Sequence, residues 1–92
     1  MNYKIIDGHI DTLLKIIDDN DFDFKEKNSK AHVDLPRLIK GQIGIVIFAI
    51  CIIEDSDLTS RLNQTIRYIK QFKKFIVLNP KLMLIKNFND IN

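Results

Sequence analysis

Apolar and polar positions fall in blocks along the chain, and each block carries the period of one kind of element. Tyr3-Lys4-Ile5-Ile6-Asp7 starts as a short β-type run and passes straight into Gly8-His9-Ile10-Asp11, where Gly8 permits a close or unusual backbone path. Thr12-Leu13-Leu14-Lys15-Ile16-Ile17 predicts a short helix with Thr12 or Asp11 as its N-cap. From Asp18 to Lys30 the chain turns strongly polar, the pattern of a surface loop. A second helix, about two turns long, is predicted from Asp34 to Gly41: Asp34 caps, Pro36 fits the first turn, Lys40 suits the last turn, and Gly41 suits the position beyond it.

The run from Ile43 to Ile53 is continuously apolar and rich in β-branched residues, as a parallel strand buried on both faces requires. Glu54-Asp55-Ser56-Asp57 ends it with capping residues. Leu58, Leu62, Ile66, Ile69, Phe72 and Ile76 follow at spacings of four, four, three, three and four, one face of a long helix. Asn79-Pro80 stops that helix, Leu82-Met83-Leu84-Ile85 predicts a further short strand, and Asn87 to Asp90 a turn or helix. The order is βαβα, so the class is α/β with parallel strands. Two parallel strands alone leave both sheet edges open, and the chain reads as part of something larger.

With 92 residues there is room for one small domain, but not for a whole α/β barrel of about 250 residues. A composition of 46% hydrophobic and 28% charged residues is that of an ordinary globular chain rather than a disordered one. The net charge of +2 hides an asymmetry: seven acids lie between Asp7 and Glu26, whereas Asp90 is the only acid after Leu58. The basic residues of the second half are spaced around an amphipathic helix without aromatic platforms. A solvated helix face is therefore the preferred reading over a polyanion site, and no nucleic-acid partner is expected. Cys51 is the only cysteine and is expected to pack as a small buried hydrophobe. The N-terminus does not read as a signal peptide, and the longest apolar run is about half of a membrane span. No membrane span is expected, and a reducing, cytoplasmic setting fits best.

Chemistry concentrates at His9 and Asp11. In a strand, residues two apart point to one face, so an imidazole and a carboxylate can reach a common point. Both are suitable zinc ligands, and the C-terminal ends of barrel strands are where such folds place their sites. The competing reading is an ordinary histidine beside an aspartate that caps the Thr12 helix, and spacing alone leaves the two open. Two ligands also fall short of a tight zinc site, which ordinarily takes at least three from protein.

Asp7-Gly8-His9-Ile10-Asp11 resembles the D-G-H-x-D signature that opens the membrane (renal) dipeptidase family of zinc peptidases. His32-Val33-Asp34-Leu35-Pro36-Arg37-Leu38, followed by Gly41 and Gly44, is similar to that family's next segment, and Phe48-Ala49 also fits. Val46-Ile47 fill a place where relatives carry a polar residue. The resemblance implies the N-terminal βα units of a (β/α)8 TIM-barrel-like metallohydrolase, an incomplete barrel, with residues 1–92 as a fragment of one dipeptidase domain. It also implies two zinc ions, with His9 and Asp11 as ligands of the first, and hydrolysis of dipeptides by a metal-bridged hydroxide. The family's bridging glutamate and remaining histidines lie on later strands, and His32 falls in the loop before a helix rather than in the metal site. Asp7 shares strand parity with His9 and is a candidate for orienting it, with a hydrogen bond to nearby backbone as the equal alternative.

The leading expectation is thus a dipeptidase segment, inactive alone because the second zinc lacks ligands. Its partners would be a dipeptide substrate in the complete enzyme, and either another copy or the missing part of the barrel. The alternative is a non-catalytic remnant serving as a small binding or assembly module through its strand edges. Another barrel hydrolase is disfavoured by the lack of a second histidine around Asp11.

Overall fold

The computed structural model describes residues 5–52 and 57–91. Its elements are β1 (Ile5–Ile10), α1 (Leu13–Asp18), α2 (Leu35–Lys40), β2 (Ile43–Phe48) and α3 (Leu58–Leu78), followed by one 3-10 turn at Phe88–Asp90. Tyr3, Lys4 and the capping stretch Glu54 to Ser56 lie outside the described residues. β1 and β2 form a two-stranded parallel sheet. The ladder starts with Ile5 opposite Ile43 and ends with Ile10 opposite Phe48, with register shifts after Ile5 and between Asp7 and Ile10. Beyond it, Ala49 N–H donates to Ile10 C=O at 2.8 Å. β1 therefore continues through His9, which stands within the strand rather than past its end. Gly8 has neither a positive φ nor an atom within 4 Å of where a Cβ would stand, so the close approach expected of it does not occur.

The helices start and stop largely where the sequence places them. Thr12 is the N-cap of α1, yet its side chain makes no capping bond, and Asp11 C=O accepts from Leu14 N–H at 3.1 Å instead. Asp34 caps α2 by accepting from Arg37 N–H. Gly41 ends α2 at φ −80°, and the left-handed residue is its neighbour Gln42 at φ 59°. The chain reverses one residue later than the glycine predicts, so Gln42 bears a conformation that its Cβ disfavours. Asp57 caps α3 by accepting from Ser60 N–H at 2.7 Å, and this bond leads the causes that hold its carboxyl below the usual range. At the other end, Asn79 Nδ2 donates to Phe75 C=O at 2.8 Å.

Phe24, Leu35, Leu38 and Phe75 form the buried cluster, with Phe48 and Phe72 packed against it. Phe24 meets Phe75 edge-on at 5.1 Å between ring centroids and lies 6.0 Å from Phe48. Such tilted contacts set the positive ring edge against the negative face. The Asp18 to Lys30 stretch is a loop, but Phe24 within it is buried and belongs to the core, contrary to a purely surface reading.

Three further expectations are corrected. β2 ends at Phe48 rather than near Ile53, and it is not buried on both faces, since Ile47 is 56% exposed. One partner strand and the helices on one side cannot cover both surfaces of a sheet. Cys51 is exposed, not buried, because the chain has left the sheet before reaching it. Leu82 to Ile85 form no strand, and the sheet among the described residues holds β1 and β2 alone. The apolar face of α3 is covered only near its C-terminal end, where Phe75 is buried, while Leu58 and Leu62 are 75% and 57% exposed. The described residues thus form a small α/β arrangement of two parallel strands and helices, compatible with part of a domain.

Candidate metal site

The alternation of β1 sets up the site. Ile10 turns inward and is buried, which sends His9 and Asp11 to the opposite, open side, with side chains 70% and 62% exposed. They meet there: His9 Nε2 lies 3.0 Å from Asp11 Oδ1. The i, i+2 spacing therefore does converge on one point. Two ligands about 2.05 Å from one zinc ion sit roughly 3.3 Å apart at the tetrahedral angle, so a shared cation would require the two side chains to part slightly and turn their lone pairs from each other toward it. Without a cation, the same pair makes an ordinary imidazole–carboxylate hydrogen bond. Asp7 Oδ1 accepts from the His9 backbone N–H at 3.1 Å, so its contact is with the strand and not with the imidazole.

Asp7, His9 and Asp11 border an open concavity of about 430 Å³ that Lys15, Lys30 and His32 also line. Lys15 lies within α1, four residues after Asp11. Lys30 and His32 come from the loop before α2. Lys30 Nζ pairs with Asp19 Oδ2 at 3.1 Å, and this hydrogen bond is the largest of the causes that hold the Asp19 carboxyl below its ordinary value.

The loop wall is tied down by a buried carboxylate. Asp34, fully buried, accepts from Arg37 N–H at 2.9 Å, from Arg37 Nε at 2.7 Å and from Asn28 N–H at 3.2 Å. One guanidinium nitrogen of Arg37 donates at the same time to Ala31 C=O at 2.7 Å and Asn28 C=O at 3.1 Å. Burial works to raise the Asp34 pKa, but the hydrogen bonds and the charge of Arg37 outweigh it and hold the carboxyl below the usual range.

Sequence reasoning missed Lys15 and Lys30 as neighbours of the pair, and it assigned His32 to the loop before a helix, from where it lines the same concavity. Lys15 was legible in principle, being four residues after Asp11 in a predicted helix. Placing His32 required the path of a loop that has no periodicity. Among the described residues no group of three or more His, Cys, Asp or Glu side chains could hold a metal ion. An imidazole and a carboxylate are donor types that zinc accepts, but two are fewer than a tight site takes. Among the described residues, too, no helix is long and apolar enough to cross a membrane.

A parallel βα unit with an imidazole–carboxylate pair at the strand end is an arrangement used by hydrolases of the α/β class. The family model described as membrane dipeptidase (peptidase family M19) matches residues 1–92. The chain belongs to that family and corresponds to an N-terminal portion of it. At family level it is a dipeptidase-like hydrolase, and the family is one of metallopeptidases. No curated protein and no solved structure matches the chain.

Proposed function

We propose that this chain carries the first part of the metal site of a zinc-dependent dipeptidase, with His9 Nε2 and Asp11 Oδ1 as ligands. The carrying observation is their 3.0 Å convergence on the open side of β1, in a chain of the membrane dipeptidase family. Zinc held there would polarise a scissile carbonyl and lower the pKa of a water molecule. The protein's own part is positional. Strand parity aims both donors at one point, and Asp7 fixes the backbone at His9 through its amide. The concavity beside them gives a short peptide room to lie against His32 and Lys15.

The finer reading is that these are the opening βα units of a (β/α)8 barrel whose later strands bring the second zinc's ligands. On that reading the 92 residues bind zinc weakly and do not hydrolyse dipeptides alone. A reducing compartment belongs to the same proposal, since Cys51 has no second cysteine to pair with.

Equilibrium dialysis against zinc tests the ligand assignment. The wild-type chain should take up weakly held zinc, and His9→Ala and Asp11→Ala should each abolish it. Equal zinc content in all three proteins would refute the assignment, and dipeptide turnover by the wild-type chain alone would refute its inactivity.

A second reading, a non-catalytic assembly module, is favoured by one observation, the uncovered apolar face that Leu58 and Leu62 present on α3. It predicts a stable oligomer whose formation is indifferent to His9→Ala. Sedimentation as a monomer at all concentrations would count against it.

A further inference from the structure

Nothing in the dipeptidase reading accounts for Asp34 and Arg37, yet they form the most heavily bonded polar group among the described residues. A capping aspartate needs one bond, to the amide three residues on. Asp34 accepts three, from two different segments, and Arg37 Nη2 donates to the carbonyls of Asn28 and Ala31. One extra bond, from Arg37 Nε, stays between α2 and its cap, and the other three reach Asn28 and Ala31 in the loop that ends at Val33.

The end of that loop, from Lys30 to Val33, lines the same concavity as His9 and Asp11, and His32 is among the lining residues. Asn28 tightens it from within, its Oδ1 accepting from Lys30 N–H and Ala31 N–H, both at 3.0 Å. Loop, latch and rim are therefore mechanically continuous. We propose that the Asp34–Arg37 pair is a positioning latch, which holds the 28–33 loop so that the His32 imidazole faces the His9–Asp11 pair as a hydrogen-bonding wall for a peptide substrate. Asp34 and Arg37 touch no substrate themselves, and the purpose of the wall rests on the dipeptidase reading. A planar guanidinium is required because one side chain must bond a carboxylate and two carbonyls at once. A lysine ammonium at the end of its stem does not span those three acceptors.

The test uses the 92-residue chain with Co2+ as a paramagnetic probe, read by NMR on the histidine ring protons and the backbone amides. In the wild type, broadening is expected at His9, Asp11 and His32. In Arg37→Ala and Arg37→Lys, broadening at His32 should fall several-fold while that at His9 persists. Amide exchange at Lys30 and Ala31 should accelerate by at least tenfold in both variants, with far-UV circular dichroism unchanged. If His9 broadens but His32 does not in the wild type, or His32 broadens equally in Arg37→Ala, the inference is overturned. If neither His9 nor Asp11 broadens, the metal reading fails, and the latch is then judged on exchange alone: acceleration upholds it and unchanged rates overturn it. A variant that loses its circular dichroism is replaced by Asp34→Asn, which keeps the cap acceptor but weakens the guanidinium bond and should accelerate the same two amides.

Discussion

Phe24 is the residue whose removal best tests how this chain is held together. Its side chain comes from a loop with charged neighbours, yet it is only 3% exposed and stands against Phe75 and Phe48. Phe24→Ala deletes the ring from a close-packed site, and such truncations cost about 3–5 kcal/mol, combining lost transfer energy with the cavity left behind. The two aromatic contacts at 5.1 and 6.0 Å, worth about 0.5–1.5 kcal/mol each, place this site toward the upper part of that range. Set against a total stability of roughly 5 kcal/mol for a small domain, the loss leaves little folded protein. Urea unfolding followed by far-UV circular dichroism is the assay. With a slope of about 1 kcal/mol per M for a chain of this size, the midpoint should fall by roughly 4–5 M, so that the transition all but vanishes. Phe88→Ala is the control, because Phe88 is 83% exposed, and its midpoint should shift by less than about 0.5 M. Equal midpoints for the two variants would show that the Phe24 cluster does not hold the fold.

Two further outcomes follow from particular residues. The Asp34 carboxyl has a folded-state pKa below its ordinary value of 3.8, so its stabilisation is fully present above that value and is lost as pH falls through the depressed folded value. Thermal melts between pH 6 and pH 2 should show wild-type stability dropping below about pH 4, with a visibly flatter drop in Asp34→Asn, and identical profiles would contradict the linkage. Gln42 sits at φ 59°, a conformation that costs a non-glycine residue about 1 kcal/mol. Gln42→Gly should therefore raise the melting temperature by a few degrees despite the added freedom of the unfolded chain, and a lowered melting temperature would show that the side chain earns its place.

What the sequence disclosed and what it withheld divide along physical lines. Caps and periods are local, and Asp34, Asp57 and the end of α3 at Asn79 were legible because each depends on a few neighbouring residues. The convergence of His9 and Asp11 was legible for the same reason, since strand parity is a two-residue property. Burial of Phe24 was not, because a loop residue enters a core only through the tertiary path that brings Phe75 and Phe48 to it. The strand expected to run to Ile53 failed differently. Its apolar run describes an environment with both faces covered, and the described residues supply cover for only one, so the ladder stops at Phe48 and Cys51 is left in the open. The resemblance places His32 in the loop before a helix, and that it lines the concavity beside the pair depends on the tertiary path of that loop.

On the proposed reading, the short ligand set and the uncovered apolar surface have one cause. Ile47 on β2 and Leu58 and Leu62 on α3 lie open, and β2 has a single strand partner among the described residues. A further parallel strand added beside β2 would satisfy its free backbone groups and cover part of this surface. In a parallel sheet every strand ends at the same edge, so that strand would also deliver its last residues to the edge that holds His9 and Asp11. The burial that completes the core and the donor that completes the zinc site would then arrive on the same element. For that reason substitutions at Ile47, remote from the metal, should matter to metal affinity in a longer family member, whereas in the 92-residue chain they should not.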